Sequence, residues 1–158
     1  MARPVRNAPQ QNALSSSRTF FATTKTHGGR LLLQSERNAT LLIDVLRSYV
    51  AAGKFEIHDF VVMPDHVHLL LSVGGDMTIE KAMQLIKGGF SYRSKREFGY
   101  LGEVWQVGFS ESRVDDNASF EQHRAYIASN PVKAGLAKHP GEYVYCYVYL
   151  AEQRRRRG

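Results

Sequence analysis

His66 and His68 stand one residue apart in the run Val61-Val62-Met63-Pro64-Asp65-His66-Val67-His68-Leu69-Leu70-Leu71. Alternate residues of an extended strand share a face, so the spacing predicts two imidazoles on one side, with Val67 and Leu69 turned into the core. Imidazole is the commonest metal-binding side chain, and two on one strand face can grip one cation. The apolar neighbours would fix that geometry before any ligand arrives. Two surface histidines beside a core strand are the plainer alternative. A second polar cluster lies further on, where Tyr126 and Asn130 are four apart and His123 precedes Tyr126 by three, the spacing of one helix face. A packed amphipathic helix with a half-buried tyrosine would show the same pattern.

The elements that must position these groups can be read from periodicity. Residues 19–26 have strand composition and end at the turn signal His27-Gly28-Gly29. Leu42, Val45, Leu46 and Tyr49 recur at helical spacing between a polar start at 35–38 and a stop at Gly53. Residues 55–63 read as a second strand, Pro64-Asp65 as a tight turn, and 66–73 as the antiparallel partner, which places the histidines on a central hairpin. Beyond Gly74-Gly75-Asp76, the stripe Ile79, Met83, Ile86 and Phe90 defines a second helix. Gly88-Gly89 within it hints at a bend or at close approach of another backbone. Residues 105–114 are the next strand candidate. The order strand-helix-strand-strand-helix-strand predicts an α+β, ferredoxin-like fold, an antiparallel sheet of four to five strands with two helices on one face. An additional C-terminal helix carries Tyr126, with Asp115-Asp116-Asn117 offering its N-cap, Phe120 and Ile127 its apolar anchors, and Pro131 its expected stop.

At 158 residues, 43% hydrophobic and 11% aromatic, the chain suits one domain with a real core. Residues 18–150 are expected to form it, between a disordered basic arm at 1–17 and an arginine-rich tail at 151–158. Cys146 stands alone, which excludes an internal disulfide framework and fits a reducing cytoplasm. No run of about 18 uncharged apolar residues is present, and Arg3 and Arg6 lead into polar residues, so neither export nor a membrane span is expected. The net charge of +6 sits at the ends, with Arg3, Arg6 and Arg18 at one and Arg154, Arg155, Arg156 and Arg157 at the other. Such ends attract polyanions by counterion release, which makes nucleic acid the natural partner class, although a solubilising tail would look alike. Lys81, Lys87, Arg93, Lys95 and Arg96 give the second helix the one strongly basic patch inside the domain, or simply a solvated face. Residues 142–150 alternate like a strand and read as an aromatic segment packing over the sheet or at a partner surface.

Three pieces occur in order: Met63-Pro64-Asp65-His66-Val67-His68-Leu69, then Trp105-Gln106 with Phe109, then Tyr126-Ile127 followed by Asn130-Pro131-Val132-Lys133-Ala134-Gly135-Leu136. The ordered set resembles the REP-associated tyrosine transposases, single-tyrosine members of the HUH nucleases, over roughly 19–136. The resemblance implies a divalent metal, Mg2+ or Mn2+, held by His66, His68 and Asn130, and Tyr126 as the nucleophile that cleaves single-stranded DNA. It also implies palindromic hairpin substrates with a short guide sequence, and phosphate contacts from Lys87, Arg93, Lys95, Arg96 and the arginine tail. His123, Asp65 or a metal-held water are the candidate bases. The sequence leaves open monomer versus a homodimer exchanging tyrosine helices, the DNA sequence recognised, and whether the chain mobilises itself or a dispersed repeat. Two other classes stay open: a non-catalytic hairpin binder, and a phosphodiesterase using water in place of tyrosine.

Overall fold

A computed structural model describes residues 17–147 of the chain. The N-terminal arm up to residue 16 and the tail with Arg154, Arg155, Arg156 and Arg157 lie outside the described residues. The elements run β1 (Arg18–Lys25), α1 (Glu36–Ala51), β2 (Glu56–Met63), β3 (His66–Val73), α2 (Ile79–Phe98), β4 (Ser110–Val114) and α3 (Asn117–Lys133). The strands form one sheet in the order β2-β3-β1-β4, every pairing antiparallel. This is the ferredoxin-like arrangement that the element order predicts.

The two faces of the sheet bury different things. Val67, Leu69, Leu71 and Val73 of β3 pack with Ala22 and with Leu42, Val45 and Leu46 of α1 and Ile79, Met83, Ile86 and Phe90 of α2. The alternate residues of β3 point the other way, where Leu70 joins Val61, Met63 and Val114 beneath Ile127 of α3. A central strand buried on both sides explains why 69–71 is an unbroken leucine run rather than an alternation. It also puts His66 and His68, which share the parity of Leu70, under the tyrosine helix.

Local signals set the helix ends. The Ser35 side chain accepts from the Asn38 amide at 3.2 Å. In the same way the Thr78 side chain accepts from Lys81 at 3.1 Å and the Asp116 side chain from Ser119 at 2.7 Å. Each is an N-cap. The third helix does not stop at Pro131 but continues to Lys133. Proline in a last turn sacrifices a single backbone hydrogen bond. The true stop is Gly135 at φ +77, where Gly135 N–H meets the Val132 carbonyl and Leu136 N–H the Pro131 carbonyl, a Schellman closure. The expected strand over 105–114 is also shorter, starting at Ser110. Trp105 instead makes an isolated bridge to Thr26, and its indole N–H donates to the Lys87 carbonyl at 2.9 Å, which fastens the α2–β4 connection to the sheet end.

The close approach hinted at by the paired glycines falls on Gly89. A Cβ there would meet the Tyr49 hydroxyl at 3.0 Å and Val45 Cγ1 at 3.1 Å, whereas Gly88 faces open space. Gly89→Ala is therefore expected to force α1 and α2 apart and cost about 1–3 kcal/mol, despite the gain in helix propensity. Gly88→Ala should be neutral or stabilising, and urea denaturation of the two variants checks the contrast. Of the aromatic segment, residues 142–147 are described: they run beside the edge strand β2, where Cys146 bridges Val61 and the Tyr143 hydroxyl donates to the Val62 carbonyl at 2.7 Å. That covers an otherwise open sheet edge. No helix among the described residues is long and apolar enough to cross a membrane.

Candidate active site

The Pro64-Asp65 turn that introduces β3 is pinned before the histidines begin. Leu33 N–H donates to the Pro64 carbonyl and Thr26 N–H to the Asp65 carbonyl, each at 2.9 Å, while the Thr26 hydroxyl lies 2.7 Å from the Arg30 carbonyl and 3.1 Å from that of Asp65. From this fixed start His66 and His68 project on one side, ring centroids 4.7 Å apart. Each ring is oriented through Nδ1: that of His66 donates to Asp65 Oδ1 at 2.7 Å, and that of His68 lies 2.7 Å from Thr23 Oγ1 on the paired strand. With Nδ1 carrying the proton, Nε2 of both rings keeps a free lone pair, the tautomer a metal ligand needs.

The tyrosine helix closes over this pair. Tyr126 stands edge-on to His68, ring centroids 5.3 Å apart, while remaining 42% exposed and so open to a large substrate. Phe21 of β1 sits among the rings, 5.4 Å from His68, 4.6 Å from His123 and 5.9 Å from Tyr126. His123 donates from Nδ1 to the Ser119 carbonyl at 2.8 Å, leaving its Nε2 as a base. The Lys133 ammonium lies 5.5 Å from the Tyr126 ring centroid. Asn130 follows Tyr126 by one turn and is half-buried.

No site role for Phe21, Thr23 or Lys133 is expected from the sequence motifs. Thr23 and Phe21 become visible only through the β1–β3 register, which sets Thr23 opposite His68 and Phe21 opposite Leu70. Lys133 does carry a signal, being one helical repeat of seven beyond Tyr126.

The residues expected to touch DNA separate from this site. Lys87, Arg93, Lys95 and Arg96 belong to α2, on the opposite face of the sheet. The Lys87 ammonium donates to the Gln106 carbonyl at 3.1 Å and the Gly108 carbonyl at 2.7 Å. Arg93 pairs with Glu97 at 2.7 Å, and Arg96 reaches the exposed Tyr92 hydroxyl at 2.9 Å.

Burial and charge set the protonation of the site face. Burial, helped by His66 and Lys25 nearby, pushes the His68 pKa down to about 4, so the ring is neutral and able to ligate at physiological pH. On β2, Asp59 is buried with Oδ1 accepting from the Phe60 amide at 2.9 Å and Oδ2 lying 3.7 Å from Arg124 of α3. Burial outweighs the amide and the guanidinium and raises its pKa to about 6. The two groups pull stability in opposite directions. Between about 4 and 6.5 the unfolded chain binds a proton that folded His68 refuses, so stability rises with pH. Between 3.8 and about 6 folded Asp59 keeps a proton that the unfolded chain releases, so stability falls with pH. Asp59→Asn removes only the falling component. Without added metal, the variant should gain up to about 3 kcal/mol more than wild type across that window as pH rises. Parallel thermal-denaturation profiles would contradict this.

The two imidazoles, side by side on one strand face, could give two of the donors that a divalent cation requires. Among the described residues no group of three or more His, Cys, Asp and Glu forms a ready metal cage. The paired imidazoles would therefore need a neutral oxygen donor such as Asn130 and oxygens from the substrate, a mixture that suits Mn2+ or Mg2+.

The chain belongs to the IS200-like transposase family, whose sequence profile, described as "Transposase IS200 like", matches residues 20–130. It is similar to a REP-associated tyrosine transposase of Escherichia coli (strain K12), 29% identical over 92 residues, 58% of this chain and 53% of that protein. It is also similar to the ISDra2 transposase TnpA of Deinococcus radiodurans, 32% identical over 94 residues, 56% of this chain and 66% of that protein. These matches span about half to two thirds of the length of those relatives. Among solved structures, a REP-associated tyrosine transposase bound to a REP hairpin superposes with a TM-score of 0.64 at 28% identity, covering 82% of this chain and 75% of that one. The resemblance read from the three motifs is thereby upheld.

Proposed function

We propose that the chain cleaves and rejoins single-stranded hairpin DNA through a 5′-phosphotyrosine on Tyr126. The observation that carries this reading is the 5.3 Å approach of the Tyr126 ring to His68, itself paired with His66, in a member of a transposase family. Tyr126 Oη forms a bond to phosphorus as the bond to the 3′-oxygen breaks, and the phenolic proton passes to a base for which His123 Nε2 is best prepared. The leaving 3′-oxygen takes up a proton to become a free hydroxyl. Attack by a 3′-hydroxyl on the phosphotyrosine reverses the step. A phenol, with pKa about 10, leaves more readily than an alkyl alcohol, so rejoining needs no external energy source. A divalent cation such as Mg2+ or Mn2+, held by His66, His68 and Asn130, would supply positive charge against the phosphate's nonbridging oxygens. Lys133 supports the same charge from the helix. The hairpin as substrate rests on the relative solved with a REP hairpin and on the basic character of the chain. Labelled single-stranded hairpin DNA from the gene's own flanks, incubated with Mn2+ or with chelator and run on a denaturing gel, tests the reading. A slow-migrating adduct that needs the cation is expected; binding without any cut product would favour a non-catalytic binder, and cut product without adduct a water nucleophile.

A further inference from the structure

Beside the histidines, on the β4 side of the sheet, a cavity of about 350 Å³ opens between Thr23 and Lys25 of β1 and the segment 106–110. Both β1 residues tie it to the active site: Thr23 bonds His68, and Lys25 is the cross-strand partner of His66. The strand-transfer chemistry above makes no use of it.

The far wall is built in advance. Gln106 N–H donates to the Lys25 carbonyl at 2.9 Å, while the Gln106 and Gly108 carbonyls are taken by the Lys87 ammonium. Lys87 is in turn held by the Trp105 indole through its own carbonyl. The backbone polar groups thus face inward onto a brace, and the side chains are left to line the opening. What they offer is mixed: a half-buried phenyl ring at Phe109, a carboxamide at Gln106, an ammonium at Lys25, and Val107, 98% exposed. The volume is at the small end of ligand sites, enough for a base and sugar and too small for a duplex.

We propose that this cavity receives one unpaired nucleotide adjoining the scissile phosphate. The inference rests on the strand-transfer reading for that position, but not for the binding itself. Phe109 supplies a stacking surface that any base can use, whereas the Gln106 carboxamide, a donor and acceptor together, can read one base edge. Lys25 meets the nucleotide's phosphate. Lys87 then serves the substrate indirectly, as the brace that holds the pocket wall. Selectivity for the bases beside the cleavage point would be set here, apart from recognition of the hairpin.

The test uses the full-length chain labelled with 15N and four probes, dAMP, dGMP, dCMP and dTMP, with 2-deoxyribose 5-phosphate as the base-free control. Saturable amide shifts at Thr23, Lys25 and 107–110 are expected with at least one nucleotide and not with the sugar phosphate. Gln106→Ala should weaken the preferred nucleotide severalfold and level the differences among the four, while Lys25→Ala should weaken all four alike. Both side chains are exposed, so the fold should persist, which the spectra themselves report. Equal shifts with the sugar phosphate, shifts spread along α2, or no saturable shift with any probe would overturn the assignment. No strand cleavage is read, so a catalytically inert chain can still pass this test and an active one can fail it.

Discussion

Tyr126→Phe is expected to abolish the covalent protein–DNA adduct and lower strand cleavage by on the order of 10^3-fold or more, while hairpin affinity stays within about twofold. The change deletes one oxygen and keeps the ring, so the edge-on packing against His68 and Phe21 survives. Tyr126 is 42% exposed, so folding should be untouched. A loss confined to chemistry is the signature of a nucleophile, since a group that only helped binding would raise the substrate requirement and leave the turnover rate intact. Single-turnover cleavage on a denaturing gel, with anisotropy for binding, separates the two. Cleavage by the variant within tenfold of wild type would assign the nucleophile elsewhere.

His68→Ala is expected to remove cation binding and lower cleavage by on the order of 10^2–10^3-fold, the range seen when one group stabilising transition-state charge is lost. His66→Ala should behave similarly. Calorimetric titration with Mn2+ in the absence of DNA reads the first effect directly. Thr23→Val is the subtler companion, since it leaves both imidazoles but removes the 2.7 Å bond that orients His68. A loss of about 10–100-fold in cation affinity is expected from it. Because His68 is buried, its truncation also opens a cavity, so thermal unfolding must accompany the titration. Unchanged Mn2+ affinity in a folded His68→Ala protein would remove the imidazole pair from the account.

Much of this arrangement is legible in the sequence where a single period decides the outcome. The two-residue period of the hairpin puts His66 and His68 on one face, and the helical stripe of Ile79, Met83, Ile86 and Phe90 marks the buried side of α2. The end of α3 departs from the sequence expectation because the effect of proline depends on position: one missing amide is tolerable in a last turn, and the left-handed Gly135 makes the stronger stop. Trp105 reads as strand because an apolar aromatic next to a β-like run is ambiguous locally; its indole bond to Lys87 depends on a contact 18 residues away. The placement of the Lys87 side chain is likewise a property of the fold and not of the local sequence. Its ammonium turns back onto two loop carbonyls, a choice that only the folded α2–β4 connection can dictate. Phe21 and Thr23 belong to the site through strand pairing, a long-range relation that periodicity within one segment does not carry.

Mapping the attachment point of DNA tests the central claim most directly. Wild-type protein would be reacted with a hairpin oligonucleotide, denatured, digested with protease and nuclease, and the tyrosine-containing peptides sequenced by mass spectrometry. A residual nucleotide 5′-phosphate is expected on Tyr126 and on no other tyrosine. Attachment at a different residue, or efficient cleavage with no peptide carrying a nucleotide, would contradict it.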